Sequence, residues 1–122
     1  MTRAPDDAPD AVPHAVPGHS GPFCPAEVTL DFLAGKWRPM VIWWLLQGTM
    51  RFNALQRRMG GVTHRTLSRT LKEMEAEGLV SRTDHGEIPP RVDYALTDLG
   101  RSLETVLKAM EQWERTYRQR GD

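Results

Sequence analysis

Residues 53–78 read NALQRRMGGVTHRTLSRTLKEMEAEG and contain two helix-forming stretches separated by a glycine pair. Asn53, with Gln56 three residues later, has the pattern of a capping box and predicts a helix that ends at the glycine pair. Thr63 is a typical N-cap residue and predicts a second helix that ends at Gly78. Two helices joined by such a short turn are the central part of a helix-turn-helix.

The sequence on either side supplies the remaining elements of a winged helix-turn-helix. After the second helix, the hydrophobic period falls from about 3.6 residues to about 2, as expected for strands. Upstream we expect a helix over about 25–34, an apolar core helix from 36 or 38 to 47 and a short strand at 50–52. Downstream we expect hairpin strands at 79–83 and 91–96, then a final helix capped by Thr97 and extending to about Arg120. The predicted fold class is α+β, mostly helical: a winged helix-turn-helix with an extended C-terminal dimerisation helix.

Composition narrows the class of protein. The chain has 122 residues, which suits one soluble domain. Its longest apolar run, Met40–Leu46, is far shorter than the ~20 residues of a membrane span. Without a recognisable secretory signal, we expect a cytoplasmic location and no membrane partner. The sequence has no nucleophile elbow, phosphate loop or metal-spaced His/Glu pair, so we expect no enzyme, no metal and no cofactor.

Residues 1–23 are rich in Pro and Ala and contain few large apolar side chains. Such a stretch cannot bury enough surface to offset its ordering entropy, so we expect a disordered tail. We expect His14 and His19 within it to be solvated and not to bind a metal. Residues 24–122 then form the winged helix-turn-helix domain with its dimerisation helices.

The charges are distributed unevenly although the net charge is zero. Eight of the 16 Lys and Arg residues lie within residues 32–72, which contain no Asp or Glu, so this segment carries +8 and the rest of the chain −8. On a helical wheel of the second helix, Leu67, Leu71 and Met74 share one side. The opposite side collects basic and polar residues in the N-terminal half of the helix, and a basic face of this kind attracts polyanions.

The basic helix predicts DNA binding. An α-helix fits the major groove, where Arg can donate two hydrogen bonds to guanine. We expect double-stranded DNA to be contacted by Thr63, His64, Arg65, Ser68, Arg69, Lys72, Arg57, Arg58 and Arg91. Within this set Arg57, Arg58 and Arg91 would contact phosphates, as would Arg82. The alternatives are an ordinary solvated face and a winged-helix protein-interaction module, without DNA binding, that meets an acidic partner.

An apolar stripe follows the final helix. Its members recur at helical spacing: Leu103, Val106, Leu107, Met110, Trp113 and Tyr117. A domain this small can cover only the first part of the stripe, so the distal residues predict a homodimer interface. The alternative is that the helix folds back on the first helix of its own chain.

Several motifs resemble those of the HxlR-type transcriptional regulators, relatives of the MarR group. The resemblance extends over Cys24 to Tyr117 and is strongest in the stretch PPRVDYALTDLG at 89–100, where Asp93 departs from a pattern that favours Glu. It is carried further by Cys24-Pro25, Gly35-Lys36-Trp37, Arg51-Phe52 with Leu55, and the helix from Leu67 to Leu79. The resemblance implies a homodimer that binds a palindromic operator, and several members sense electrophiles, aldehydes or oxidants.

Cys24 is a candidate sensor. It precedes the first predicted helix, where free N–H groups and the helix dipole favour a thiolate. The resemblance supports this role, since a cysteine at this place is the redox switch of some members. A small electrophile or oxidant is therefore a candidate effector. The alternative is a small, buried, apolar residue that caps the core.

Overall fold

The computed structural model describes residues 24–120. These residues belong to two compact units that divide between Ala34 and Gly35. In the first unit the described part is one helix, α1 (Pro25–Phe32), which follows Cys24. The predicted N-terminal tail, with His14 and His19, lies outside the described residues.

The second unit is a winged helix-turn-helix, which confirms the predicted fold class. In chain order it contains α2 (Arg38–Leu45), β1 (Met50–Arg51), α3 (Phe52–Met59), α4 (His64–Ala76), β2 (Val80–Asp84), β3 (Val92–Leu96), α5 (Asp98–Ser102) and α6 (Glu104–Arg120). The strands form an antiparallel sheet in the order β1-β3-β2. Helices α3 and α4 are the helix-turn-helix pair, and the β2–β3 hairpin is the wing.

The core of this unit lies between α2, α3, α4 and the sheet. The predicted inner face of α4 is confirmed, because Leu67, Leu71 and Met74 are fully buried. From α2, Val41, Ile42 and Leu45 are also buried, in agreement with its almost wholly apolar sequence. No helix among residues 24–120 is long and apolar enough to cross a bilayer.

The predicted capping box at the start of α3 is wrong. The helix begins at Phe52, before Asn53, and its N-cap residue Arg51 makes no side-chain capping bond. Gln56 instead donates from Nε2 to the carbonyl of Val62 at 3.1 Å. Helix α3 follows β1 directly, and this start places the Phe52 ring 6.4 Å from the ring of Tyr94. A tertiary contact thus takes precedence over the local capping pattern.

The predicted single C-terminal helix is divided at Leu103. The N–H of Leu103 bonds to the carbonyl of Gly100 at 3.1 Å, a bond to the third residue back, and this tight turn separates α5 from α6. Helix α5 lies very close to Leu79. A Cβ on Gly100 would overlap the Leu79 carbonyl oxygen, so the contact depends on glycine at this position. Helix α6 packs along α2. The turn at Leu103 lets each helix keep its own packing partner.

Candidate nucleic-acid interface

Helix α4 displays the predicted basic face. Thr63 caps the helix, since its Oγ1 accepts a hydrogen bond from the Thr66 N–H at 3.1 Å. The side chains on the predicted outer face are all exposed: Arg65, Ser68, Arg69 and Lys72. These four residues and the N-cap make up the recognition face, which points away from the buried Leu67 and Leu71.

Two glutamates, in the last turn and at the C-cap of α4, pair with a residue of another helix. Arg38 of α2 donates to Glu77 at 2.6 Å and to Glu73 at 3.4 Å. The hydrogen bond to Glu77 is the main reason why the pKa of Arg38 is raised above its usual value. Arg38 is therefore not part of the recognition face, although it belongs to the acid-free segment of the sequence. Arg38 thus offsets the charges of Glu73 and Glu77, while the N-terminal half of α4 contains basic residues and no acidic ones.

The two arginines at the end of α3 have different surroundings. Both are exposed, as expected for phosphate contacts. Arg57 lines a groove next to α4. The guanidinium of Arg58 lies over the Trp44 ring, 5.2 Å from its centre. The structure thus brings Arg57 together with the recognition face and holds Arg58 against α2.

The groove lies between α3, α4 and the wing and has a volume of about 510 Å³. We call it the basic groove because four arginines line it: Arg51, Arg57, Arg82 and Arg91. His64 and Ser68 of α4 line it as well. Phe52 and Tyr94 also line the groove, so part of its wall is aromatic. The Phe52 ring lies 4.6 Å from the ring of His64. The predicted wing arginines therefore lie in the same cavity as residues of α4.

Sequence reasoning did not single out Arg51 as a functional residue. It is exposed and is the last residue of β1. Its signals in the sequence were its place in the acid-free basic segment 32–72 and its place beside Phe52 in the family resemblance, and neither assigns it a contact. Its place in the basic groove results from the pairing of β1 with β3, opposite Asp93.

A polar cluster lies beside the basic groove in the wing. The Oδ2 of Asp93 accepts hydrogen bonds from His85 Nε2 at 3.0 Å and from Arg91 at 3.3 Å. Partial burial acts to raise the pKa of Asp93, but the hydrogen bonds from His85 and Arg91 outweigh it and hold the pKa below its usual value. Among the described residues, Asp93 Oδ1 and Arg91 Nε are buried without a hydrogen-bond partner.

The apolar stripe of α6 changes in exposure along the helix. Leu107 is buried, and Leu103 and Val106 are half-buried. Further along, Met110, Trp113 and Tyr117 are 42%, 66% and 51% exposed. The rings of Trp113 and Tyr117 are stacked, with their centres 5.5 Å apart.

Cys24 is exposed and is the N-cap residue of α1, with its carbonyl accepting from the Glu27 N–H at 2.8 Å. The alternative reading of Cys24 as a buried apolar residue is therefore wrong. The described residues contain no group of three or more His, Cys, Asp or Glu side chains that could hold a metal ion.

Comparison with known proteins places this geometry in a family. The chain matches the sequence model of the HxlR-like helix-turn-helix family over residues 32–122. It is 38% identical over 99 residues to YdeP of Bacillus subtilis, an uncharacterized HTH-type transcriptional regulator, with 81% of this chain and 77% of YdeP covered.

Two solved structures of regulators are similar to this chain. The redox regulator HypR in its reduced form superposes with a TM-score of 0.73 at 38% identity, over 78% of this chain and 94% of HypR. The reduced form of the transcriptional regulator YodB from B. subtilis gives a TM-score of 0.72 at 30% identity, over 82% of this chain and 99% of YodB.

Proposed function

This chain belongs to the HxlR-like helix-turn-helix family of transcriptional regulators, and from that membership we propose that it is a homodimer that binds a palindromic operator. Helix α4 enters the major groove with its recognition face toward the base edges. The observation that carries this proposal is the exposure of Arg65, Ser68, Arg69 and Lys72 on one side of a helix whose other side is buried.

The side chains near α4 have two kinds of role. Arg65, Ser68 and Arg69 read base edges, since they lie on the outer face of the helix that fits the groove. Thr63 and Lys72 lie at the two ends of that face and His64 lies beside it, and these three residues contact bases or the adjacent backbone. Arg57, Arg58 and Arg91, from α3 and the wing, contact phosphates and set the register of the protein on the duplex.

Two classes of substitution test the DNA proposal. Operator duplexes are first selected from a random pool with the wild-type protein. Arg69→Ala then lowers affinity by about 1–3 kcal/mol and relaxes the preference at particular base pairs. Arg57→Ala weakens binding to all duplexes alike and reduces the slope of log affinity against log salt by about one.

Fluorescence anisotropy over a series of salt concentrations measures both effects. A protein that enriches no duplex, and that binds an acidic polypeptide instead, would show that the basic face serves protein interaction and not DNA.

The distal stripe of α6 supports the dimer. Met110, Trp113 and Tyr117 form an exposed apolar surface toward the end of the longest helix among residues 24–120, and a second copy of the chain can cover it across a two-fold axis. Such a dimer presents two copies of α4 to half-sites about 34 Å apart, or a multiple of this distance.

We further propose that Cys24 senses electrophiles or oxidants. The thiol is exposed at the N-terminus of α1, where reagents have access to it. The likeness to HypR, a redox regulator, supports this role. Modification of the Cys24 thiol then alters the affinity of the protein for its operator.

Cys24→Ser tests the sensor. We expect diamide or an aldehyde to change the operator affinity of the wild-type protein and to leave that of Cys24→Ser unchanged. Mass spectrometry of the treated protein checks that the wild-type thiol has reacted. An equal response in both proteins would place the sensor elsewhere.

A further inference from the structure

We propose that the basic groove is a phosphate-binding site, in which Arg51, Arg82 and Arg91 hold the sugar-phosphate backbone of the duplex that α4 reads. The ligand is a phosphodiester of the DNA itself, so this inference rests on the proposed function. It adds Arg51, at the junction of β1 and α3, to the residues that bind DNA.

Charge is the first argument. Four arginines reach the groove from separate places in the chain, and no Asp or Glu is among the described residues that line it. Arg51 and Arg57 make no ion pair with any residue between 24 and 120. Like charges that converge in this way repel each other and oppose folding, and a bound polyanion offsets that repulsion.

The remaining ion pairs of the groove are weak. Arg82 lies 4.0 Å from Asp84, and Arg91 lies 4.0 Å from Glu87, both at the outer limit for such contacts. Only the contact of Arg91 with Asp93 is closer, at 3.3 Å. Most of the N–H donors in the groove are therefore available to a ligand, and guanidinium groups match phosphate oxygens in pairs.

Position is the second argument. Ser68 of the recognition face lines the groove, so the groove opens beside the bases that α4 would contact. The rings of Phe52, His64 and Tyr94 line one side of the groove, and apolar surface next to a charged pair strengthens the attraction between arginine and phosphate. A duplex that places α4 in its major groove brings the flanking strand toward this cavity.

Arg51→Gln tests the site against a matched control. Arg101→Gln removes the same charge from an exposed arginine of α5 that does not line the groove. We expect Arg51→Gln to weaken binding about tenfold on the selected operator and equally on a scrambled duplex, and to reduce the salt slope by about one, as expected for one lost phosphate contact. Arg101→Gln should leave the slope at the wild-type value.

A second variant guards against misfolding. Arg82→Gln alters an exposed wing residue and should reproduce both effects of Arg51→Gln, with thermal unfolding like that of the wild type. A loss confined to the operator would assign Arg51 to base reading and overturn the proposal. So would equal slopes in the Arg51→Gln and Arg101→Gln proteins.

A competition arm separates DNA phosphates from a free anion. Pyrophosphate, compared with sodium chloride at matched ionic strength, should displace the duplex no better than the salt does. Specific displacement by pyrophosphate that is lost in Arg51→Gln would identify the groove as a site for a free phosphorylated ligand. If the wild-type protein binds neither duplex, the proposed function itself fails. If it binds both and Arg51→Gln binds as tightly, only this inference fails.

Discussion

Asp93 lies on the central strand of the sheet, between Arg51 of β1 and Thr83 of β2. Its side chain is 12% exposed, and one of its oxygens accepts from both His85 and Arg91. The carboxylate therefore restrains the Arg91 guanidinium at the edge of the basic groove. If Arg91 contacts a phosphate as proposed, Asp93 acts on DNA binding through Arg91, as a positioning residue.

Asp93→Asn separates this positioning effect from the general electrostatic effect of removing a negative charge. Removal of a negative charge near a DNA-binding face should by itself strengthen binding. We expect weaker binding, by several-fold, because Arg91 loses its charged partner. The effect should disappear in an Arg91→Ala background, which a double-mutant cycle measured by anisotropy reveals. Tighter binding by Asp93→Asn would contradict the positioning role.

The pKa of Asp93 adds a second readout of the same substitution. Because the folded pKa lies below its usual value, the carboxylate stabilises the folded state above the unfolded pKa of about 3.9 and loses this effect as pH falls through the folded value. The wild-type protein should therefore be more stable than Asp93→Asn at neutral pH, and the difference should shrink in acid. Urea unfolding at a series of pH values measures it.

Between elements, α5 approaches closely the backbone of Leu79, the residue before β2. Thr97 caps α5, and its N–H donates to the Leu79 carbonyl at 3.0 Å. Gly100, on the first turn of α5, faces the same carbonyl, and a side chain there would overlap it. The stretch that carries the family resemblance, 89–100, therefore joins the wing to the C-terminal helices through backbone contact.

Gly100→Ala should destabilise the protein by about 1–3 kcal/mol, because the new methyl group forces α5 away from Leu79. Helix propensity alone predicts the opposite sign, since Ala in a helix is favoured over Gly by roughly 1 kcal/mol. Arg101→Ala, on the same helix and exposed, should change stability by less than about 0.5 kcal/mol. Urea unfolding at one fixed protein concentration compares the variants, and a Gly100→Ala protein as stable as the wild type would contradict the close approach.

Periodicity and caps predicted the elements of this fold because they depend on neighbours in the sequence. The Thr63 cap and the inner face of α4 are such local features. The start of α3, the turn at Leu103 and the pairing of Arg38 with Glu77, 39 residues away, depend on long-range packing. The same holds for Arg51, which reaches the basic groove only because β1 pairs with β3.

Across the whole molecule, exposed helices differ in how their charges are arranged. On α6, acidic and basic residues form pairs four residues apart: Glu104 with Lys108, Glu111 with Arg115, and Glu114 with Arg118. Such pairs stabilise an isolated helix. The N-terminal half of α4 has no such pair among the described residues. Helix α6 is thus suited to a stable scaffold, and α4 to a polyanionic partner.

The paired charges of α6 also define which of its faces can meet a second copy. Arg115 lies on the opposite side of the helix from Trp113, by the 100° advance of each residue. The Trp113 side carries stacked aromatic rings, and the Arg120 guanidinium lies over the Tyr117 ring at 4.6 Å. Rings held in place in this way lose little conformational entropy when a partner covers them.

Trp113→Ala should therefore dissociate the proposed dimer. A buried Trp at the centre of an interface contributes about 2 kcal/mol or more, so the dissociation constant should rise by roughly thirtyfold or more. Arg115→Ala truncates another exposed side chain of the same helix, on the other face, and should leave the constant unchanged. Sedimentation equilibrium measures both. Operator affinity should fall with Trp113→Ala, since two linked copies of α4 bind a palindrome more tightly than one. A wild-type protein that sediments as a monomer, or a Trp113→Ala dimer of unchanged affinity, would exclude this face as the interface.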